Sequence, residues 1–133
     1  MATIHLPYGA EGTLDFDIED RNLILDTDVD FPGEVADLDQ AVLEALDNPA
    51  EGSSFSERLE SADKVLILVD NWARLTPAHR ILPPILESIR SRGKEVEIMV
   101  AHGLLRSMTE SELERKFGRE ILASGVPIYQ SNA

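Results

Sequence analysis

Two polar stretches carry the side chains with chemistry to offer. DNWARLT, residues 70–76, contributes Asp70, Asn71, Arg74 and Trp72, the only tryptophan; HGLLRSM, residues 102–108, contributes His102, Gly103 and Arg106. Each stretch follows an apolar run and opens into a helical pattern, so each presents a guanidinium beside the unpaired N–H groups of a helix start. That equipment suits a carboxylate or a phosphate, which a planar guanidinium grips two bonds at a time. A single loop arginine more often pairs with a local acid, but two in equivalent loops of one sheet edge strengthen the anion reading. Trp72 is suited to stack on a ligand ring or to cover the top of a sheet. His102, at a strand end beside Gly103, is the histidine placed to exchange a proton; its ordinary alternative is a solvated or core-satisfied imidazole.

Other chemistries lack their residues. His5, His79 and His102 show no chelating spacing and there is no cysteine, so no metal site is expected in this chain alone, and disulfides are excluded. DTDVD at 26–30 resembles the start of a calcium loop, yet Phe31 stands where the loop glycine belongs and Asp37 where the final glutamate belongs. Nucleophile-elbow, phosphate-loop and dinucleotide glycine motifs are all absent, so no complete catalytic centre is legible.

The net charge of −13 argues against nucleic acid as a partner. Its distribution says more: residues 1–63 hold 17 acids against Arg21 and Arg58, whereas 64–133 hold 8 acids and 10 bases. An anion is therefore to be met in the second half. MATIHLPYGAEG has no basic region with an apolar run behind it, and no stretch approaches the ~18 apolar residues of a membrane span, so a cytoplasmic protein without a membrane partner is expected.

The elements that must position the two loops follow from periodicity. IHLPY (4–8) and TLDFDIED (13–20) predict a β-hairpin, with the acids of DFDIED on a solvated face. LILDTDVDFPGE is irregular. Val35, Leu38, Val42, Leu43 and Leu46 predict a helix ended by Asn48-Pro49, and FSERLESA a second helix capped by Ser54 or Ser56. From residue 64 strands alternate with helices. KVLILV (64–69) is apolar on both faces, as in a strand covered on both sides. PAHRILPPILESIRSRG predicts a helix with Thr76 as N-cap, a kink at Pro83-Pro84 and Gly93 past its end. EVEIMVA (95–101) is a strand, TESELERKFG a helix opened by a Thr109–Glu112 capping box and ended by Gly118, and VPIYQ (126–130) a third strand. The fold class is α/β: an acidic N-terminal β-hairpin and helices over 1–63, then a Rossmann-like β-α-β-α-β parallel unit over 64–133. Together they make one domain or part of a larger one. In such sheets ligands sit beyond the carboxyl ends of the strands, where both polar loops emerge.

Four pieces in order, LPY (6–8), LDNP (46–49), VDNWARLTP (69–77) and VAHGLLRSMTESE (100–112), resemble the N-terminal region of the LarA-type, nickel-pincer-dependent lactate racemase family. Its first loop reads approximately D-D-x-T-R-x-x-P and its second G-x-H-R-x-x-T. The resemblance implies a longer, two-domain isomerase in which a nickel pincer nucleotide takes a hydride from, and returns it to, the hydroxyl-bearing carbon of a 2-hydroxy acid. It also implies that the cofactor-holding lysine, the nickel-ligating histidine and a second catalytic histidine lie beyond this chain. Asp70, Arg74, Pro77, Gly103, Arg106 and Thr109 match the family pattern. Asn71 replaces the second aspartate, Ala73 the threonine, and Leu105 the histidine that serves as general acid and base. A leucine moves no proton, and general acid–base work contributes about a hundredfold or more.

The sequence therefore predicts the N-terminal, substrate- and cofactor-facing part of a lactate racemase-like racemase or epimerase of altered specificity. Asp70, Asn71, Trp72, Arg74, Gly103 and Arg106 are its binding candidates and His102 a weaker catalytic one. The expected ligand is a small anion, a 2-hydroxy acid or a nucleotide phosphate, and the expected partner is the remainder of the parent protein. The cofactor is expected to bind the parent and not the isolated chain. The alternatives are a non-catalytic anion-binding module of the same fold and, further behind, an ordinary nucleotide-binding domain.

Overall fold

The computed structural model describes residues 1–9, 12–24, 33 and 35–131. The calcium-like stretch 26–30 falls outside them. Two compact units divide at 34/35, so the helices that precede the parallel sheet belong with it.

In the first unit β1 (Ala2–Tyr8) pairs antiparallel with β2 (Gly12–Ile18), Tyr8 opposite Gly12 and Ala2 opposite Ile18. Alternation sends Thr3, His5, Asp15 and Asp17 to one face. There His5 Nδ1 lies 2.8 Å from Asp15 Oδ1, and the Thr3 hydroxyl donates to Asp17 at 2.8 Å. Ile4, Leu6, Leu14 and Phe16 share the other face.

The second unit begins with α1 (Leu38–Asp47) and α2 (Phe55–Ser61). Asp37 accepts the Gln40 N–H and caps α1, which leaves Val35 outside the helix that its spacing predicted. Ser54 caps α2 in a reciprocal box with Glu57, while Ser56 donates through both N–H and hydroxyl to Asp47 at the end of α1. Leu59 of α2 is buried in the core and α1 packs against α3.

Then come β3 (Lys64–Asp70), α3 (Ala78–Ser91), β4 (Glu95–Ala101), α4 (Glu110–Ala123) and β5 (Ile128–Gln130). The sheet is parallel throughout in the order β3-β4-β5, with Val69 beside Val100 and Ile98 beside Ile128. One sheet face holds the core: Val69, Val96, Ile98 and Val100 meet Leu82, Leu86 and Ile89 of α3 and Phe117 and Ile121 of α4. Each such side chain, fully buried, contributes about 1.5–3 kcal/mol. On the opposite face β4 is half-buried and β3 is exposed. Leu66 is 50 % and Leu68 67 % exposed, so β3 is covered on one face and not on the two that its apolar run predicted.

Two helix details differ from the periodicity. α3 runs through Pro83 and Pro84 as one element, with Pro77 and not Thr76 at its N-cap position. α4 does not end at Gly118. That glycine, at φ 75° and ψ 160°, breaks the helical dihedrals, and the chain re-enters helix as far as Ala123. A Cβ on Gly118 would lie 3.4 Å from the Cβ of His79, so the break falls where α4 passes close to the start of α3.

Candidate functional site

Asp70 ends β3 and hands over to the first polar loop. Its carboxylate is taken from two sides: the buried Lys116 of α4, 7 % exposed, donates to Oδ1, and the Thr76 hydroxyl donates to Oδ2 at 2.5 Å. Thr76 is thereby drawn away from capping α3, and the Pro77 carbonyl accepts the first helical N–H groups, Arg80 at 2.9 Å and Ile81 at 3.2 Å. Lys116 Nζ also donates to the carbonyls of Asn71 (3.4 Å) and Arg74 (3.2 Å), so all three ammonium protons have acceptors in one loop. Burial alone would push the Asp70 carboxyl up; the bonds from Lys116 and Thr76 and the charges of Lys116 and Arg74 outweigh it and hold it below the ordinary value. Within the loop the Ala73 N–H donates to Asn71 Oδ1 at 3.0 Å and the Arg74 N–H to the Asn71 carbonyl at 3.2 Å. The Arg74 side chain is exposed, and its guanidinium has no hydrogen-bond or ion-pair partner among the described residues.

The second loop is organised differently. His102 is 2 % exposed, and its Nε2 lies 2.9 Å from Gln130 Oε1 at the end of β5. Gln130 Oε1 also accepts the Met108 N–H at 2.6 Å, while its amide nitrogen donates to the Met108 carbonyl at 3.2 Å. The backbone bonds fix which end of the amide is oxygen, so His102 Nε2 must carry the proton. Its Nδ1 is buried and has no partner among the described residues. Gly103, at φ 60°, turns the chain so that the Leu105 N–H reaches the His102 carbonyl at 3.1 Å. Arg106 then folds back on its own helix start. It makes a fork with Glu112 at 2.8 and 2.7 Å, reaches the Ser107 carbonyl at 2.9 Å and lies 5.2 Å from the centre of the Trp72 ring. Glu112 also closes the capping box with Thr109, and these donors hold its carboxyl down at about 2.

Of the residues that the sequence proposed, the structure brings Asp70, Asn71, Trp72, Arg74, Gly103 and Arg106 to the carboxyl ends of β3 and β4. Among the described residues two contacts bridge the loops: Arg106 over Trp72, and the Asn71 amide donating toward the carbonyls of Ala101 (3.4 Å) and His102 (3.3 Å). His102 lies beneath the loop, sealed in and held by Gln130. His5 belongs to the hairpin and His79 to the first turn of α3. Lys116, Glu112 and Gln130 were not among the candidates. Lys116 did leave a trace, since it stands three residues after Leu113 and beside Phe117 on the stripe of α4 that faces the core. A surface groove between α3 and α4, lined by Leu86, Glu87, Arg90, Glu120, Ile121 and Ser124, opens at the other end of the strands, away from both loops. Among the described residues no group of three or more His, Cys, Asp or Glu could hold a metal ion. No helix among them is long and apolar enough to cross a membrane.

An α/β unit with a parallel sheet and two polar loops at its carboxyl edge defines a Rossmann-like class. The model of the lactate racemase N-terminal domain matches residues 8–133, and the chain belongs to that family. It is 29 % identical over 126 residues to a lactate racemase of Thermoanaerobacterium thermosaccharolyticum, covering 92 % of this chain and 29 % of the relative. It is 28 % identical over 127 residues to a lactate racemase of Lactiplantibacillus plantarum, covering 92 % and 30 %. The structure of the lactate racemase apoprotein from T. thermosaccharolyticum superposes with a TM-score of 0.73 at 26 % identity, over 98 % of this chain and 30 % of that one. The chain thus spans about 30 % of the length of the relatives it matches.

Proposed function

We propose that this chain is the substrate- and cofactor-facing N-terminal part of a racemase or epimerase acting on a 2-hydroxy acid, with Arg74 as its principal anion contact. One observation carries the reading: Arg74 is exposed at the carboxyl edge of the sheet, without a described partner, in a loop whose only acid is already bound by Lys116 and Thr76. A guanidinium so placed is suited to the carboxylate of the substrate or to the phosphate of a nucleotide. The relatives' description as lactate racemases and the match of Asp70, Arg74 and Pro77 to the family's first loop support it. The open apolar face at Leu66 and Leu68 supports a parent with more chain to lay over it, since parallel sheets are ordinarily covered on both sides. The absence of cysteine suits a reducing cytoplasm.

Among the described residues no donor set fits a nickel ligand sphere, and this reading assigns the pincer nucleotide to the parent. Leu105, at the position of the family's acid–base histidine, offers no proton, and His102 is buried behind it. Without a proton-moving side chain at 105, the reading gives this part of the parent the binding of the 2-hydroxy acid and not the proton transfer. These departures also favour the second reading, a binding module that kept the anion loop and lost the chemistry, because Arg106 is already occupied by Glu112 and Trp72.

The test is an NMR titration with lactate and with inorganic phosphate. Arg74→Ala is expected to weaken binding by about one to two orders of magnitude, the size of a charge-assisted pair, and Arg106→Ala to have less effect. Equal affinity of wild type and Arg74→Ala would refute the assignment.

A further inference from the structure

We infer that Lys116 is a positioning residue: by occupying Asp70 from below, it prevents Asp70 from capturing Arg74 and so keeps that guanidinium available to an external anion. The inference rests on the reading of Arg74 as the anion contact. Asp70 and Arg74 stand four residues apart in one short loop, near enough for the charge of Arg74 to act on the Asp70 carboxyl. Left alone, an acid and an arginine so close would close on each other, as Arg106 and Glu112 do in the neighbouring loop. They do not. Lys116 holds Oδ1 and Thr76 holds Oδ2, and the carbonyls of Asn71 and Arg74 also turn to the same ammonium.

The geometry of Lys116 argues for a specific duty. An ammonium buried to this degree in a helix face otherwise made of Leu113, Phe117 and Ile121 is costly unless every proton is satisfied, and a methionine would fill the same stripe without that demand. All three of its acceptors lie within residues 70–74. Lys116 therefore acts on the shape and charge of this loop. It reaches the anion position only through Asp70 and the backbone.

The experiment compares wild type, Lys116→Met and the double variant Lys116→Met/Asp70→Asn, with lactate and inorganic phosphate as probes. Lys116→Met frees Asp70 to compete for Arg74 and is expected to weaken both probes by roughly fivefold to tenfold, the scale of one partly screened ion pair. The double variant removes the competitor as well, and its affinity is expected to return to within about twofold of wild type. Where Arg74→Ala weakens binding, a double variant as weak as Lys116→Met, or a Lys116→Met that binds like wild type, would overturn the inference. If Lys116→Met fails to fold, Lys116→Gln, which also leaves the Asp70 charge uncompensated, takes its place in both comparisons: weakened binding that Asp70→Asn restores supports the inference, and unchanged binding refutes it. A readout without ligand separates this inference from the reading of Arg74 on which it rests. The Arg74 Nε–Hε resonance is expected to shift and exchange more slowly in Lys116→Met and to revert in the double variant. Those shifts in a protein whose wild type and Arg74→Ala bind the probes equally would refute only the anion assignment. Their absence would refute the role of Lys116.

Discussion

The two loops at the carboxyl edge of the sheet carry the same kind of cation and treat it in opposite ways. In 70–76 the acid is held from beneath by a lysine of α4, and the arginine has no partner among the described residues. In 102–108 the arginine lies over Trp72 and forks onto Glu112, the residue that also caps α4. What decides a loop arginine's availability is therefore whether the nearest carboxylate has a stronger claim elsewhere. Glu112 has none stronger than Arg106; Asp70 has Lys116.

The largest effect should come from breaking the first arrangement. Lys116→Met leaves Asp70 without its main partner at a site where its side chain is two-thirds covered, and a loss of about 3 kcal/mol in chemical denaturation is expected. Arg106→Ala removes an exposed pair and should change the same measurement little. Similar losses for both variants would erase the distinction between a loop fastened from the core and one fastened at the surface.

A smaller effect tests the strap between the loops. Asn71→Asp keeps the size of the side chain, and the new carboxylate can still accept the Ala73 N–H. It cannot donate, however, and it would face the carbonyls of Ala101 and His102. A loss of about 1 kcal/mol is expected, with faster amide exchange in 102–105. An Asn71→Asp variant as stable as wild type would mean that Trp72 and Arg106 alone join the loops.

How much of this was legible in the sequence depends on how far apart the partners lie. β4 was predicted to the residue, and β3 within one, because apolar runs bounded by charge report strands locally. β5 starts two residues late because Pro127 has no N–H to give to β4. The helix start at 77 was misplaced by one residue, since the Thr76 hydroxyl has a better acceptor in Asp70 than in its own helix. Asp70 and Lys116 are 46 residues apart, and no periodicity joins them. The open face of β3 was also hidden, because an apolar run states what must be covered and not what covers it. The candidate residues share one edge because each ends a strand or stands in the loop that follows it. Their partners were missed because those stand in the helix and strand that come after.

The last and smallest effect sharpens the comparison through titration. Glu112 is held at about 2 against an ordinary 4.5, first by the fork from Arg106 and then by the Thr109 N–H. A carboxyl lowered on folding contributes stability that is complete above the unfolded value and is lost as pH falls through the folded one, so its share should fade between pH 4.5 and about 2. In a carbon-detected titration of the side-chain carboxyls, Arg106→Ala should raise the Glu112 midpoint most of the way back, leaving a smaller depression from Thr109. The same variant should leave Asp70 unmoved, because its partners are Lys116, Thr76 and Arg74. If Asp70 moved with Glu112, the loops would share one charge network across Trp72, and Arg74 could not be treated as independent of Arg106.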